Sequence, residues 1–304
     1  MTVGATASAG HRAPRRGPLP LVGQVLASSR PLSWVNTAYP FAAAYLLAGG
    51  AVDAVLVLGA LWFLVPYNLL MYGVNDVFDY ESDIRNPRKG GVEGVVLDRS
   101  VHRLTIVAAV LTNLPFVVYL LAVGDGVARL VLLVSVLAVV AYSAPVLRFK
   151  ERPFLDSLTS STHFVSPAVL GLALADTPVE ETTVAAVVGF FLWGIGSHAF
   201  GAVQDVVADR AGGIASIGTV IGARGTVWFA LGAYVAAGLV LLALPWPGTL
   251  AAALVLPYVA NVAPFLRVTD ETCEGANPGW RRFLWLNYLT GFLITQLFIW
   301  IALR

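Results

Sequence analysis

Long apolar runs separated by short charged or Pro/Gly-containing breaks set the pattern of this chain. A helix that crosses a bilayer needs roughly 20 mostly apolar residues. Nine stretches meet that length, at about 33–50, 54–80, 103–123, 128–144, 156–175, 183–207, 220–243, 249–267 and 282–303. Two depart from plain apolar composition: 156–175 carries Ser, Thr and His163, and 220–243 begins Gly-rich. The pattern predicts an all-α, polytopic membrane bundle of nine transmembrane helices over residues 31–304. Residues 1–30 are expected to form a disordered basic tail, since Arg12, Arg15 and Arg16 sit among Gly, Ala, Pro and Ser with no signal-type apolar core.

Charge sets the orientation. With a cytoplasmic N-terminus, 17 of the 19 basic residues fall at the cytoplasmic ends of the nine spans, leaving Arg129 and Arg304 outside. That asymmetry is what the positive-inside rule demands. A missed or invented helix would scramble it, so the count and the orientation support each other. Composition agrees: 58% of the 304 residues are hydrophobic and 12% charged, against about 25% charged in an average soluble chain. A soluble core of this size would lack the charges to cover itself. The single cysteine, Cys273, excludes an internal disulfide and any multi-cysteine metal site.

The remaining acids define the chemistry. Asn75, Asp79 and Asp83 close the second expected span at i, i+4 and i+8, one helical stripe of oxygen-bearing side chains, with Asp76 beside them. Asp205 and Asp209 repeat the i, i+4 spacing at the end of the sixth span. Like charges at that spacing repel, so a cation belongs between them, and hard oxygen donors select Mg²⁺ completed by phosphate oxygens. One such cluster reads as a solvated helix end; two of matching pattern on one side argue for a site. A third segment, Tyr142 to Arg152, adds Arg148 and Lys150. With Arg88, Lys89 and Arg210 it offers cations to neutralise a departing diphosphate. Together these groups point to ionisation of an allylic diphosphate, with the cation held in a dry interior. Phe78, Tyr67, Tyr72, Phe200 and Trp193 are available as shielding ring faces.

The motifs N-D-x-x-D-x-x-x-D at Asn75 to Asp83, Y-S-x-P…K at Tyr142 to Lys150 and D-x-x-x-D at Asp205 to Asp209 resemble those of the UbiA-type intramembrane prenyltransferases, over nearly the whole chain. The resemblance implies a nine-helix bundle, Mg²⁺ dependence and transfer of a prenyl group to a lipophilic acceptor. It implies that Asn75, Asp79, Asp83, Asp205 and Asp209 hold Mg-diphosphate, with Lys150, Arg148 and Arg88 on phosphate oxygens. The chain departs from many members in having Val203 and Gln204, with no further acid, before the second motif. The strings around the three motifs are most similar to the lycopene elongases, which implies dimethylallyl diphosphate, or a longer prenyl diphosphate, as donor and lycopene as acceptor, at the cell membrane. Such a reaction ends in loss of a proton or capture of water, and His198, seven residues before Asp205, is a candidate base. A UbiA-type enzyme acting on an aromatic quinone precursor is the alternative within the class. An ion-coupled transporter is the alternative outside it, although its acids would sit nearer the bilayer midplane.

Overall fold

The computed structural model describes residues 20–84 and 95–304. Its regular structure is helical throughout, and no strand occurs among the described residues. In chain order the helices are α1 (Leu21–Ser28), α2 (Val35–Leu47), α3 (Ala54–Phe78), α4 (Tyr80–Asp83), α5 (His102–Val123), α6 (Gly126–Ser143), α7 (Leu155–Leu174), α8 (Glu181–Val203), α9 (Val206–Ala211), α10 (Ile217–Leu241), α11 (Gly248–Phe265) and α12 (Asn277–Ala302).

Seven helices, α3, α5, α6, α8, α10, α11 and α12, are long and apolar enough to cross a membrane. The other two expected spans are helices of a different kind. α2 has only 13 residues, entered through a short 3-10 turn at Pro31–Ser33. α7 reaches 20 residues, but Asp156, Ser157, Thr159, Ser161, His163 and Ser166 lower its apolar character. All six are buried, so α7 turns its polar side inward.

The expected tail is also corrected. Residues 1–19 lie outside the described residues, but 21–28 form α1. Gln24 fixes this helix: its Nε2 donates to Asp98 Oδ2 at 2.7 Å and its Oε1 accepts from the Asp98 amide at 3.1 Å. Leu21, Val22 and Leu26 on its other side stay exposed.

Two apolar cores divide the bundle. The first gathers Phe41, Trp62, Phe63, Tyr67, Leu132 and Leu170 from α2, α3, α6 and α7. The second gathers Phe200, Ile217, Val227, Tyr234, Tyr258 and Phe283 from α8, α10, α11 and α12. α7 packs against α2 and α6 on one side and α8 on the other, and so forms the seam.

α3 is broken in its middle. Pro66 carries no amide hydrogen, and after it the chain widens into a π-helical turn at Leu69–Gly73. Backbone groups released inside an apolar bundle need new partners. Asn68 Nδ2 donates to Phe63 O (2.7 Å), Leu64 O (3.1 Å) and Thr37 Oγ1 (2.8 Å). Asn113 Nδ2 donates to Pro66 O (2.7 Å), and its Oδ1 accepts from Trp62 Nε1 (2.7 Å). The break sits deep in the bundle, whereas the acids remain at the end of α3.

Candidate active site

The first motif leaves α3 two residues after the π turn. The helix ends at Phe78, Asp79 takes φ −96° and ψ 0°, and α4 continues. Amide bonds from Asp79 to Asn75 O (2.9 Å) and from Asp83 to Asp79 O (2.8 Å) carry the i, i+4 spacing across the junction. The stripe read from the sequence therefore survives a change of helix.

Lys150 reaches this stripe from the loop after α6. Its ammonium contacts Asp79 and donates to Asn75 Oδ1 at 3.3 Å. Ser143, the last residue of α6, donates to the same oxygen at 3.0 Å. Arg148 lies 3.5 Å from Asp79 and also pairs with Glu151. This loop is held under strain: Val146, Arg148 and Phe154 all have left-handed φ, at 78°, 36° and 67°. Arg152 fastens it, donating to Leu147 O at 2.9 Å and Val146 O at 3.3 Å.

Burial pulls the Lys150 ammonium down to about 8, opposed by the charges of Glu151, Asp76 and Asp209. Asp76 belongs to the first motif and Asp209 to the second, so Lys150 stands within electrostatic reach of both. In the second motif, Asp205 sits at the junction of α8 and α9, and Asp209 Oδ2 accepts from Ser216 Oγ at 3.1 Å.

Other expected residues are placed differently. Arg88 and Lys89 lie outside the described residues. Arg210 pairs with Asp270 and donates to Thr219 O at 3.1 and 3.3 Å, which ties α9 to α10. Gln204, at the position of the missing acid, accepts from Asn277 Nδ2 at 2.7 Å. Asp76 is fully buried against Arg30 at 3.2 Å, and the Arg30 guanidinium stacks on Tyr72 at 4.3 Å. The five aromatic residues offered as shielding ring faces are dispersed: Tyr67 packs in the first core, Phe200 and Trp193 pack with the second, Tyr72 lies under Arg30, and Phe78 is partly exposed.

Tyr142 bonds His198 Nε2 at 3.2 Å, and His198 Nδ1 bonds Ser157 Oγ at 3.0 Å. Arg30, Asp156 and Ser157 were not singled out from sequence. The positive-inside pattern accounts for Arg30 without a further role, and only Asp156, an acid opening an apolar helix, carried a visible signal.

Among the described residues, no three His, Cys, Asp or Glu side chains converge tightly enough to hold a metal by themselves. Separate acidic pairs suit Mg²⁺, which takes one or two carboxylates and completes its shell with phosphate and water. They do not suit a closed zinc centre.

The model of the UbiA prenyltransferase family matches residues 37–288. The C(50) beta-cyclic carotenoids biosynthesis protein LbtBC of Dietzia sp. (strain CQ4) is 56% identical over 294 residues, covering 96% of this chain and 68% of that protein. The lycopene elongase/hydratase of Corynebacterium glutamicum is 53% identical over 275 residues, covering 90% and 96%. Among solved structures, a UbiA homolog from Archaeoglobus fulgidus bound to DMAPP and Mg²⁺ shares the fold, with a TM-score of 0.64 at 17% identity over 88% of this chain and 98% of that one.

Proposed function

The chain belongs to the UbiA prenyltransferase family, and from that membership we propose that it transfers dimethylallyl groups from dimethylallyl diphosphate to the ends of lycopene, giving C45 and then C50 carotenoids. It is an integral membrane prenyltransferase. The observation that carries the reading is the position of Lys150, in contact with the first acidic motif and within the field of the second. The acceptor rests on the relatives from Dietzia and Corynebacterium, whose names specify C50 carotenoid biosynthesis and lycopene elongation.

We assign the Mg-diphosphate to Asn75, Asp79, Asp83, Asp205 and Asp209. Bound Mg²⁺ supplies charge neutralisation of the leaving diphosphate. Lys150 and Arg148 orient the phosphate oxygens and stabilise the negative charge that grows as the allylic C–O bond breaks. The apolar interior keeps water from the allylic cation until the acceptor's terminal double bond attacks it. We further assign nine crossings with the N-terminus and active site cytoplasmic. α2 and α7 complete the count, supported by the basic residues gathered at one end of the spans.

Membranes carrying the protein, given dimethylallyl diphosphate, Mg²⁺ and either lycopene or a hydroxybenzoate, test the proposal by analysis of lipid extracts. New C45 and C50 carotenoids, lost in Asp79→Ala, are expected. Prenylated hydroxybenzoate without elongated carotenoid overturns the acceptor assignment. Altered ion flux without either product overturns the enzyme assignment.

A further inference from the structure

Prenyl transfer to an alkene leaves a tertiary cation on the acceptor, and a proton must go somewhere before the product is neutral. The bundle interior holds a line of polar groups that the diphosphate chemistry does not use. Asp156 is buried and accepts at both oxygens: Oδ2 from the Ile217 amide at 2.7 Å, Oδ1 from the Ser157 amide at 2.6 Å and from Ser157 Oγ at 3.3 Å. With its own hydrogen given to Asp156, Ser157 Oγ is left as the acceptor toward His198 Nδ1 at 3.0 Å. In that arrangement Nδ1 carries the imidazole hydrogen, and Nε2 accepts from the Tyr142 hydroxyl at 3.2 Å. With Ser157 donating to Asp156, the bonds run in one direction, from phenol to carboxylate.

Three helices contribute, α6, α7 and α8, so the line crosses the seam between the two cores. Its outer end adjoins the donor site, because Tyr142 precedes Ser143, which bonds Asn75. His163 packs edge-on against the Tyr142 ring at 5.1 Å and fixes its orientation.

Resting on the prenyl-transfer reading, we propose that Tyr142 and His198 are the proton acceptor of the terminating step, with Ser157 and Asp156 as positioning residues. The C–H bond beside the tertiary cation breaks and its electron pair becomes the new double bond. The proton passes to the Tyr142 oxygen as the phenolic proton moves to His198 Nε2. The resulting imidazolium keeps its Nδ1–H bond to Ser157, and the Asp156 carboxylate balances its charge. Where water adds to the cation first, the proton of the added water follows the same route and the product is an alcohol.

The test uses the full chain in lipid nanodiscs with lycopene, dimethylallyl diphosphate and Mg²⁺, measuring diphosphate released and C5 units incorporated. In His198→Gln the ratio of incorporation to release falls at least tenfold, because ionisation outruns termination. In Asp156→Asn, which retains an acceptor for Ile217, the ratio falls about threefold with the donor KM within twofold of wild type. A parallel fall in release and incorporation, with the ratio unchanged, overturns the relay. Tyr142→Phe, which removes only a hydroxyl, gives the same comparison if the other variants do not fold. A wild-type protein that releases no diphosphate refutes prenyl transfer itself, and the relay with it.

Discussion

Replacing Lys150 by methionine removes the ammonium while keeping most of the side chain's length. In the folded protein that ammonium contacts Asp79 and Asn75, and its side chain is only 11% exposed. A charge-assisted hydrogen bond in such a setting contributes about 1.5–3 kcal/mol, so kcat/KM for the diphosphate donor should fall about 10- to 150-fold. Lys150→Arg keeps the charge and should recover part of the loss. The same residue sets a pH dependence. Its pKa is lowered to about 8 by burial, so the charged form is present below that value and is lost as the pH rises through it. The Asp79 contact favours the ammonium, so the alkaline fall in kcat/KM should begin no lower than about pH 8, and Lys150→Arg should abolish it. Initial rates of diphosphate release between pH 6.5 and 9.5 measure both effects, since kcat/KM reports groups of the free enzyme. A Lys150→Met enzyme within threefold of wild type, or an alkaline limb that Lys150→Arg leaves in place, refutes the role given to this side chain.

Three further predictions concern the frame that holds the site. Arg30→Ala removes the ion pair to the buried Asp76 and the stacking on Tyr72; thermal unfolding in detergent should show a loss of about 3 kcal/mol. Arg30→Lys should regain only part of it, because an ammonium lacks the planar fork, and full recovery would count against the stacking argument. Gly222 interrupts α10 at φ 73° and ψ 167°, and a Cβ there would stand 3.0 Å from Asp270 Oδ1. Gly222→Ala should therefore cost about 1–3 kcal/mol, read from the same unfolding curves, and an unchanged midpoint would contradict it. Asn68→Leu deprives Phe63 O, Leu64 O and Thr37 Oγ1 of one shared donor. Its expected cost is about 2–4 kcal/mol, with faster amide exchange around Pro66 as the specific signature.

Residues that declare themselves by spacing were legible in the sequence. Asn75, Asp79 and Asp83 fall on one stripe, Asp205 and Asp209 repeat it, and apolar runs of spanning length locate the helices. What the sequence hides is pairing between distant segments. Nothing along the chain marks Arg30 as the partner of Asp76, 46 positions away, or Asp270 as the group that claims Arg210. The placement of the aromatic rings is hidden for the same reason: composition counts rings, but the two cores take them to different places. α1 was hidden because a short helix anchored by one buried glutamine has no long apolar run to announce it.

α7 carries the most instructive departure. By the rule for lipid-facing helices, Asp156, Ser157 and His163 are defects in an apolar span, and they keep α7 out of the set of helices apolar enough to cross a membrane. Their burial reverses that reading. A helix enclosed by α2, α6 and α8 meets protein on several sides, so polar groups that would be costly in lipid find partners instead. The same enclosure places them between the two apolar cores, at the seam where α6, α7 and α8 meet. A helix that falls short of ordinary membrane apolarity while its polar residues are buried thus marks an enclosed polar seam. The Asp156→Asn variant tests that marker directly: an effect on proton disposal, with donor binding preserved, separates a chemical reason for the polar seam from a packing one.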